Sequence, residues 1–353
     1  STPKLVKVHG GKLGDTYFEP EPENYKITWM ARNEDFFALR WGVPDFIRHH
    51  IAENASASYV GGYFIGSDTY IPGLDYFTAL DEPVNWTWAF ERQWLFYKLW
   101  GRLQYDPQTP DSVFRSAFVQ RYGSQAEGLL EAYALASSTQ LRLASLYDAT
   151  WDFTLYSEGM LALQGEHTTY ISVDRLIEHA TLDPDYIGVA EWVEAELQGK
   201  AFPEHRLEPL RLAELLERDN LAALQQVASI DFSGNASLRY EVADVQAWAS
   251  IGLHLADKLR GAVALQRFRK TGVESHQQEA IEHLEAALQH WDDLVEITRP
   301  LYRDMPLTHY NHNAFDANPD NLFHWERIRD EVAQDVEIAR AAVSSTDAGI
   351  GSR

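Results

Sequence analysis

Hydrophobic residues in the first third of the chain alternate between short β-rich runs and helical spacing. Three apolar runs, at 4–11, 25–32 and 59–66, each end in glycine or charged residues, which predicts three strands. Between the second and third runs, apolar residues recur every three or four positions after Pro44, which predicts a helix over 44–54. Strands that alternate with helices indicate a parallel α/β arrangement.

From residue 86 onward the pattern becomes helical. A strongly apolar stretch predicts one long helix over 86–103, and Thr109 or Asp111 is the expected N-cap of the next helix, which ends at Gly123. Later apolar stripes at spacings of three and four predict further packed helices. They are Ile281, Leu284, Leu288, Trp291 and Val295; Leu322, Trp325, Ile328, Val332 and Val336; and Val245, Trp248, Leu255 and Leu259 within 240–269.

These patterns divide the chain into an α/β part at 1–105, a helical domain at 106–345 and a disordered tail at 346–353. The 353 residues, 45% of them hydrophobic, are enough for one large domain or two ordinary ones. The chain begins without Met and almost directly on a predicted strand, so we expect further sequence upstream.

The charge of the chain excludes several classes of partner. The formal net charge is −23, and no basic run exceeds a few residues, so nucleic acids and anionic membrane surfaces are not expected partners. No segment reaches the roughly 18 consecutive apolar residues of a membrane helix.

The residue types present also limit the cofactor chemistry. The chain has no cysteine, which excludes disulfides, thiolate metal sites and cysteine nucleophiles. His309 and His312 lie three residues apart, but no third ligand stands at a convincing spacing, so no metal site and no cofactor is predicted. Phosphate-binding, dinucleotide-binding and nucleophile-elbow motifs are missing from the sequence.

Acidic residues after the predicted strands are the candidates for acid/base chemistry. Glu34 and Asp68 follow the second and third strands, and in parallel α/β folds reactive side chains lie at the carboxyl ends of strands. Asp15 and Glu19, on the loop after the first strand, are reserve candidates. Two carboxyl groups at suitable separation can hydrolyse a glycosidic bond. The alternatives are that Asp68 caps a turn and that Glu34 pairs with Arg32 or Arg40.

Aromatic residues make up 12% of the chain, and many of them surround these strand ends. Sugar rings present apolar C–H faces that suit aromatic side chains, and a guanidinium fork suits the carboxylate of an acidic sugar. The candidate substrate-binding residues are His9, Arg32, Trp41, Tyr70, Trp86 and His312. The alternative for each of them is core packing or an internal ion pair.

The segment 94–123, WLFYKLWGRLQYDPQTPDSVFRSAFVQRYG, resembles the segment after the last barrel strand in microbial α-glucuronidases and related polysaccharide-degrading glycoside hydrolases. The residues that carry the resemblance are Tyr97, Gly101, Arg102, Leu103, Tyr105, Asp106 and Pro107. Tyr105 stands where the family often has Trp. The motif covers about a tenth of the chain and is structural, so it transfers no catalytic residue.

The resemblance implies the last strands of a (β/α)₈-type barrel followed by a large α-helical domain. It implies a hydrolase acting on plant or algal polysaccharide, including polysaccharide that bears uronic acids. The first barrel strands would then be missing from this chain, and open sheet edges are costly. Either a second copy of the chain covers these edges, or the chain is a truncated reading frame.

Two other functions fit the sequence: a non-catalytic carbohydrate-binding protein, and a helical interaction or scaffold protein. Binding without turnover would identify the first, and a surface without a pocket at Glu34, Asp68 and Trp86 would identify the second. The sequence does not fix the compartment. A polysaccharide substrate slightly favours the periplasm or the extracellular space over the cytoplasm.

Overall fold

The structure is a computed structural model that describes residues 23–32, 38–55, 58–66, 75, 77–148, 155–164, 167–306 and 322–345. The chain is mostly helical. The α-helices among the described residues are α1 (Pro44–Asn54), α2 (Ala89–Arg92), α3 (Trp94–Tyr105), α4 (Asp111–Tyr122), α5 (Leu129–Ala136), α6 (Ser138–Leu146), α7 (Val173–Glu178), α8 (Val189–Leu197), α9 (Pro209–Val227), α10 (Ala236–Thr271), α11 (Glu274–Thr298) and α12 (Trp325–Ala341).

Three small sheets occur among the described residues. β1 (Ile27–Arg32) and β2 (Val60–Gly66) are parallel, and their register pairs Thr28 with Gly62 and Arg32 with Gly66. The remaining strands pair antiparallel, in the order β3-β4-β5 and β6-β7. Their bounds are β3 (Leu155–Tyr156), β4 (Leu161–Gln164), β5 (His167–Tyr170), β6 (Met305–Pro306) and β7 (Leu322–Phe323).

The N-terminal α/β pattern is confirmed in the part that the structure describes. β1, α1 and β2 form a strand–helix–strand unit with parallel strands, and α1 has the predicted bounds. The predicted strand at 4–11 lies outside the described residues. The parallel sheet among the described residues consists of β1 and β2. A barrel therefore stays a prediction, and so does a second copy of the chain that covers open sheet edges.

Several predicted helix boundaries differ from the structure. The apolar stretch 86–103 does not form one helix: Trp88 is extended, and Gln93 separates α2 from α3 with a ψ of 25° while its side chain donates to the carbonyl of Leu39. Pro110 is the N-cap of α4, since the hydroxyl of Thr109 accepts a hydrogen bond from Arg102 instead. Leu322 pairs in β7, ahead of α12.

The 36-residue helix α10 is the central element of the helical part, and it is buried on nearly all sides. It packs along α9 and α11, and α12 packs on α11. Asn235 accepts a hydrogen bond from the backbone N–H of Leu238 at its start, and Gly272, with φ of +71°, ends it in the left-handed region. No helix in the described ranges is both long and apolar enough to cross a bilayer.

The segment that carries the family resemblance forms α3, the turn after it and α4. Arg102 Nε donates to Thr109 Oγ1 over 3.1 Å, and Asp106 Oδ1 accepts from the backbone N–H of Gln108 over 3.0 Å. Tyr105 is 83% exposed and lies under the Arg102 guanidinium. These contacts shape a turn, which agrees with the structural nature of the motif.

Candidate functional site

The chain after β1 is held in place by a buried carboxyl group from the middle of the sequence. Glu158 is fully buried, and its two oxygens accept the backbone N–H groups of Ala38 (3.2 Å) and Leu39 (3.0 Å). Burial raises the pKa of Glu158 to about 8, although the two hydrogen bonds act in the opposite direction. The first described residues after β1 are therefore fixed to a distant segment.

The chain after β2 is held by a second carboxyl group, Asp75. Its Oδ1 accepts the backbone N–H groups of Phe77 and Thr78, and its Oδ2 accepts the Thr78 hydroxyl and the Trp86 indole N–H, the latter over 2.6 Å. Burial acts to raise the pKa of Asp75, but the charge of Arg92 and these hydrogen bonds outweigh it and lower the pKa. Four donors occupy the four acceptor sites of this carboxylate, so Asp75 organises the turn and is not free to transfer protons.

A buried charge network lies beneath both of these segments. Asp244, on α10, accepts hydrogen bonds from Arg40 Nη1 (2.8 Å) and Arg92 Nη2 (3.1 Å) and from the Tyr302 hydroxyl. Arg40 Nε also lies 3.3 Å from Glu241 Oε1, and Arg92 donates to the carbonyl of Ala38. The two arginines and two acids, all with side chains at 0% exposure, balance in charge, as buried ions must.

This network also connects the segment at 38–40 to Asp75. Trp86, whose indole binds Asp75, lies beneath the Arg40 guanidinium with 5.0 Å between the guanidinium carbon and the ring centroid. Arg40 itself follows the segment held by Glu158, and Trp248 on α10 donates its indole N–H to the Arg40 carbonyl. We call the described residues that follow β1 and β2, 38–40 and 75, the strand-exit site. Glu158, Asp244 and Trp86 hold these residues in place.

A second buried polar cluster lies between α10 and α12, away from the strand ends. Lys258 donates to Asp335, to the Ile171 carbonyl (2.5 Å) and to the Tyr170 hydroxyl (2.7 Å), which uses all three of its protons. His254 contacts the same hydroxyl over 2.8 Å, and burial lowers the pKa of His254 to about 3. This closed and satisfied cluster stabilises the helical core.

Most of the predicted site residues lie outside the described part of the chain. Arg32 is the last residue of β1, and its side chain is outside the described part. Trp41 is 2% exposed and packs edge-on against Phe46 and Phe96, and Trp86 is 7% exposed and holds Asp75. The predicted residues outside the described ranges are His9, Asp15, Glu19, Glu34, Asp68, Tyr70 and His312.

Sequence reasoning missed the residues that support the site. Asp75 accepts the backbone N–H of Phe77, which lies two residues later in the chain. This short spacing is typical of an Asp residue in a turn, so the sequence contained a local signal for its role. Glu158 and Asp244 had none, because their partners lie 119 to 204 residues away in the chain.

The described residues contain no group of three or more His, Asp or Glu side chains arranged to hold a metal ion.

Comparison with known proteins adds a structural relationship. No protein-family model and no curated protein sequence matches the chain. Among solved structures, the fold is similar to that of a GH138 enzyme targeting pectin rhamnogalacturonan II, with a TM-score of 0.71 and 15% sequence identity over 88% of this chain. The fold is glycoside hydrolase-like.

This chain spans 38% of the length of that enzyme. The similarity supports the glycoside hydrolase part of the sequence resemblance, whereas the α-glucuronidase type and the barrel stay predictions.

Proposed function

We propose that this chain is a glycoside hydrolase-like module that acts on a plant polysaccharide of the pectin type. The proposal is supported by the similarity of its fold to a GH138 enzyme targeting pectin rhamnogalacturonan II. Hydrolysis would use a pair of carboxyl groups, one that protonates the leaving oxygen and one that activates water or attacks the sugar.

Glu34 and Asp68 are the proposed pair, and the register of β1 and β2 is the observation that carries the assignment. Arg32 pairs with Gly66 across the two parallel strands. Glu34 and Asp68 each stand two residues beyond this pair in sequence, and adjacent strands lie about 4.8 Å apart. Asp15 and Glu19 remain the reserve candidates.

The hydrogen bonds of Glu158 and Asp75 favour the same assignment. Glu34 belongs to the short segment between Arg32 and Ala38, whose far end Glu158 holds. Asp68 belongs to the segment between Gly66 and Asp75, which is closed by the hydrogen bonds of Asp75.

Hydrolysis of purified rhamnogalacturonan II tests this assignment. We expect Glu34→Gln and Asp68→Asn to lower the turnover rate about 10²- to 10⁴-fold, which is the usual contribution of a positioned acid or base. Asp45→Asn, which removes an exposed carboxylate from α1, is the matched control and should leave the rate unchanged. Full activity in both site variants would refute the assigned pair.

A non-catalytic carbohydrate-binding role is the second candidate. It is favoured by one observation, that the chain spans 38% of the length of the GH138 enzyme, so that catalytic residues of a longer protein can lie elsewhere. Binding of rhamnogalacturonan II without release of products, by wild type and by both variants alike, would support this role.

A further inference from the structure

Two aromatic side chains next to the strand-exit site are exposed to solvent. Trp88 is 43% exposed and Phe90 is 48% exposed, although the neighbouring Trp86 and Trp94 are buried. The two exposed rings are nearly parallel, with 5° between their planes and 6.5 Å between their centroids. Each ring leaves aromatic surface open to solvent.

Backbone hydrogen bonds connect the start of this aromatic pair to Asp75 and Glu91. The backbone N–H of Asp75 donates to the carbonyl of Thr87 over 3.3 Å, directly before Trp88. The Glu91 carboxylate accepts the backbone N–H groups of Thr87 (2.8 Å) and Trp88 (3.1 Å) at the start of α2. The backbone at Trp88 is therefore fixed next to Asp75.

We propose that Trp88 and Phe90 form a subsite that binds a neutral pyranose ring of the polysaccharide. The choice of a sugar as the ligand of this subsite rests on the proposed function. Sugar rings present C–H faces, and fixed aromatic rings bind such faces without a large loss of conformational entropy.

The charges around the pair decide between neutral and acidic sugars. Residues 81–91 contain Asp81, Glu82 and Glu91 and no basic residue. The nearest arginine in sequence, Arg92, is buried and bound to Asp244. A uronate on the aromatic pair would be repelled by the Glu91 carboxylate, which is bound to the backbone N–H of Trp88. The subsite therefore selects a neutral sugar ring, and the acidic sugars of the polysaccharide bind elsewhere.

Calorimetric titration of the whole chain with two tetrasaccharides tests the subsite. The probes are β-1,4-galactotetraose, which is neutral, and tetragalacturonate. We expect wild type to prefer the neutral probe, and Trp88→Ala and Phe90→Ala each to weaken its binding about five- to tenfold, since one aromatic contact contributes about 1 kcal/mol. Trp88→Phe, which keeps a ring, should retain most of the affinity.

Tyr105→Ala is the matched control, because Tyr105 is an exposed aromatic residue at the end of α3 and should not affect either titration. The subsite is refuted if wild type does not bind galactotetraose, if it prefers tetragalacturonate, or if the double variant Trp88→Ala/Phe90→Ala binds like wild type. These results are independent of catalysis. A chain that binds galactotetraose through both rings but leaves rhamnogalacturonan II intact would refute the hydrolase and retain the subsite.

Discussion

Glu158 shows how a single buried residue couples the strand-exit site to protonation. Its carboxyl group receives two backbone N–H groups, and these favour the charged form, but complete burial outweighs them and raises the pKa to about 8 from 4.5. The folded protein thus binds a proton on Glu158 over a pH range in which the unfolded chain does not. Stability from this group is fully present below pH 4.5 and is lost as the pH rises through 8.

We expect the free energy of unfolding of wild type to fall between pH 5 and pH 8.5 by more than that of Glu158→Gln. The difference should be on the order of a few kcal/mol, because each pKa unit corresponds to about 1.4 kcal/mol. Chemical denaturation at several pH values measures it, with the exposed Glu127→Gln as control. Equal pH dependence in wild type and Glu158→Gln would contradict a protonated Glu158.

Helix α10 fits its neighbours closely at Gly252. A Cβ atom at this position would lie 2.6 Å from Thr139 Oγ1 and closer still to the amide of Asn220. Asn220 already donates to the carbonyl of Leu216 over 2.7 Å, so its side chain cannot move away without losing a buried hydrogen bond. The packing of α9 against α10 thus depends on the absence of a side chain.

Gly252→Ala should therefore destabilise the protein by about 1–3 kcal/mol, the usual cost of overpacking a core. Gly101→Ala is the matched control in another helix, α3, where an added Cβ meets nothing within 4 Å. That substitution should stabilise the protein by up to about 1 kcal/mol through helix propensity. Thermal unfolding compares the two, and equal effects of the same sign would contradict the packing described.

The sequence predicted these elements best where local pattern decides the structure. Pro44 and the apolar spacing after it located α1, and the stripe with Leu284 and Trp291 located α11. Prediction failed where tertiary contacts override the pattern, as at Trp86, whose indole binds Asp75 so that the chain there is not helical. The support of the candidate site could not be predicted, because Asp244 meets Arg40 across 204 residues.

Over the whole molecule, the charge network between the strand ends and α10 joins the α/β part to the helical part. Asp244 forms salt bridges with both Arg40 and Arg92, and each of these three side chains is fully buried. The loss of this one carboxylate would leave two guanidinium groups with Glu241 as the remaining acid of the network. Removal of one partner from a buried ion pair is among the most costly substitutions in proteins.

Asp244→Asn should destabilise the chain by about 3–5 kcal/mol and loosen both strand ends together. Glu214→Gln, which breaks the exposed ion pair of Arg211 with Glu214, is the control and should cost at most about 1 kcal/mol. Denaturant unfolding gives both values. Similar small losses in the two variants would show that the network does not join the two parts.

The central claim, hydrolysis of a pectic polysaccharide, is tested most directly by incubating the wild-type chain with rhamnogalacturonan II in ¹⁸O-labelled water. Mass spectrometry of rapidly quenched products then shows where the label enters. A hydrolase incorporates one ¹⁸O atom at each new reducing end, and this is the result we predict, with the label lost in Glu34→Gln and Asp68→Asn. Bound but uncleaved polysaccharide, or products without label, would contradict it.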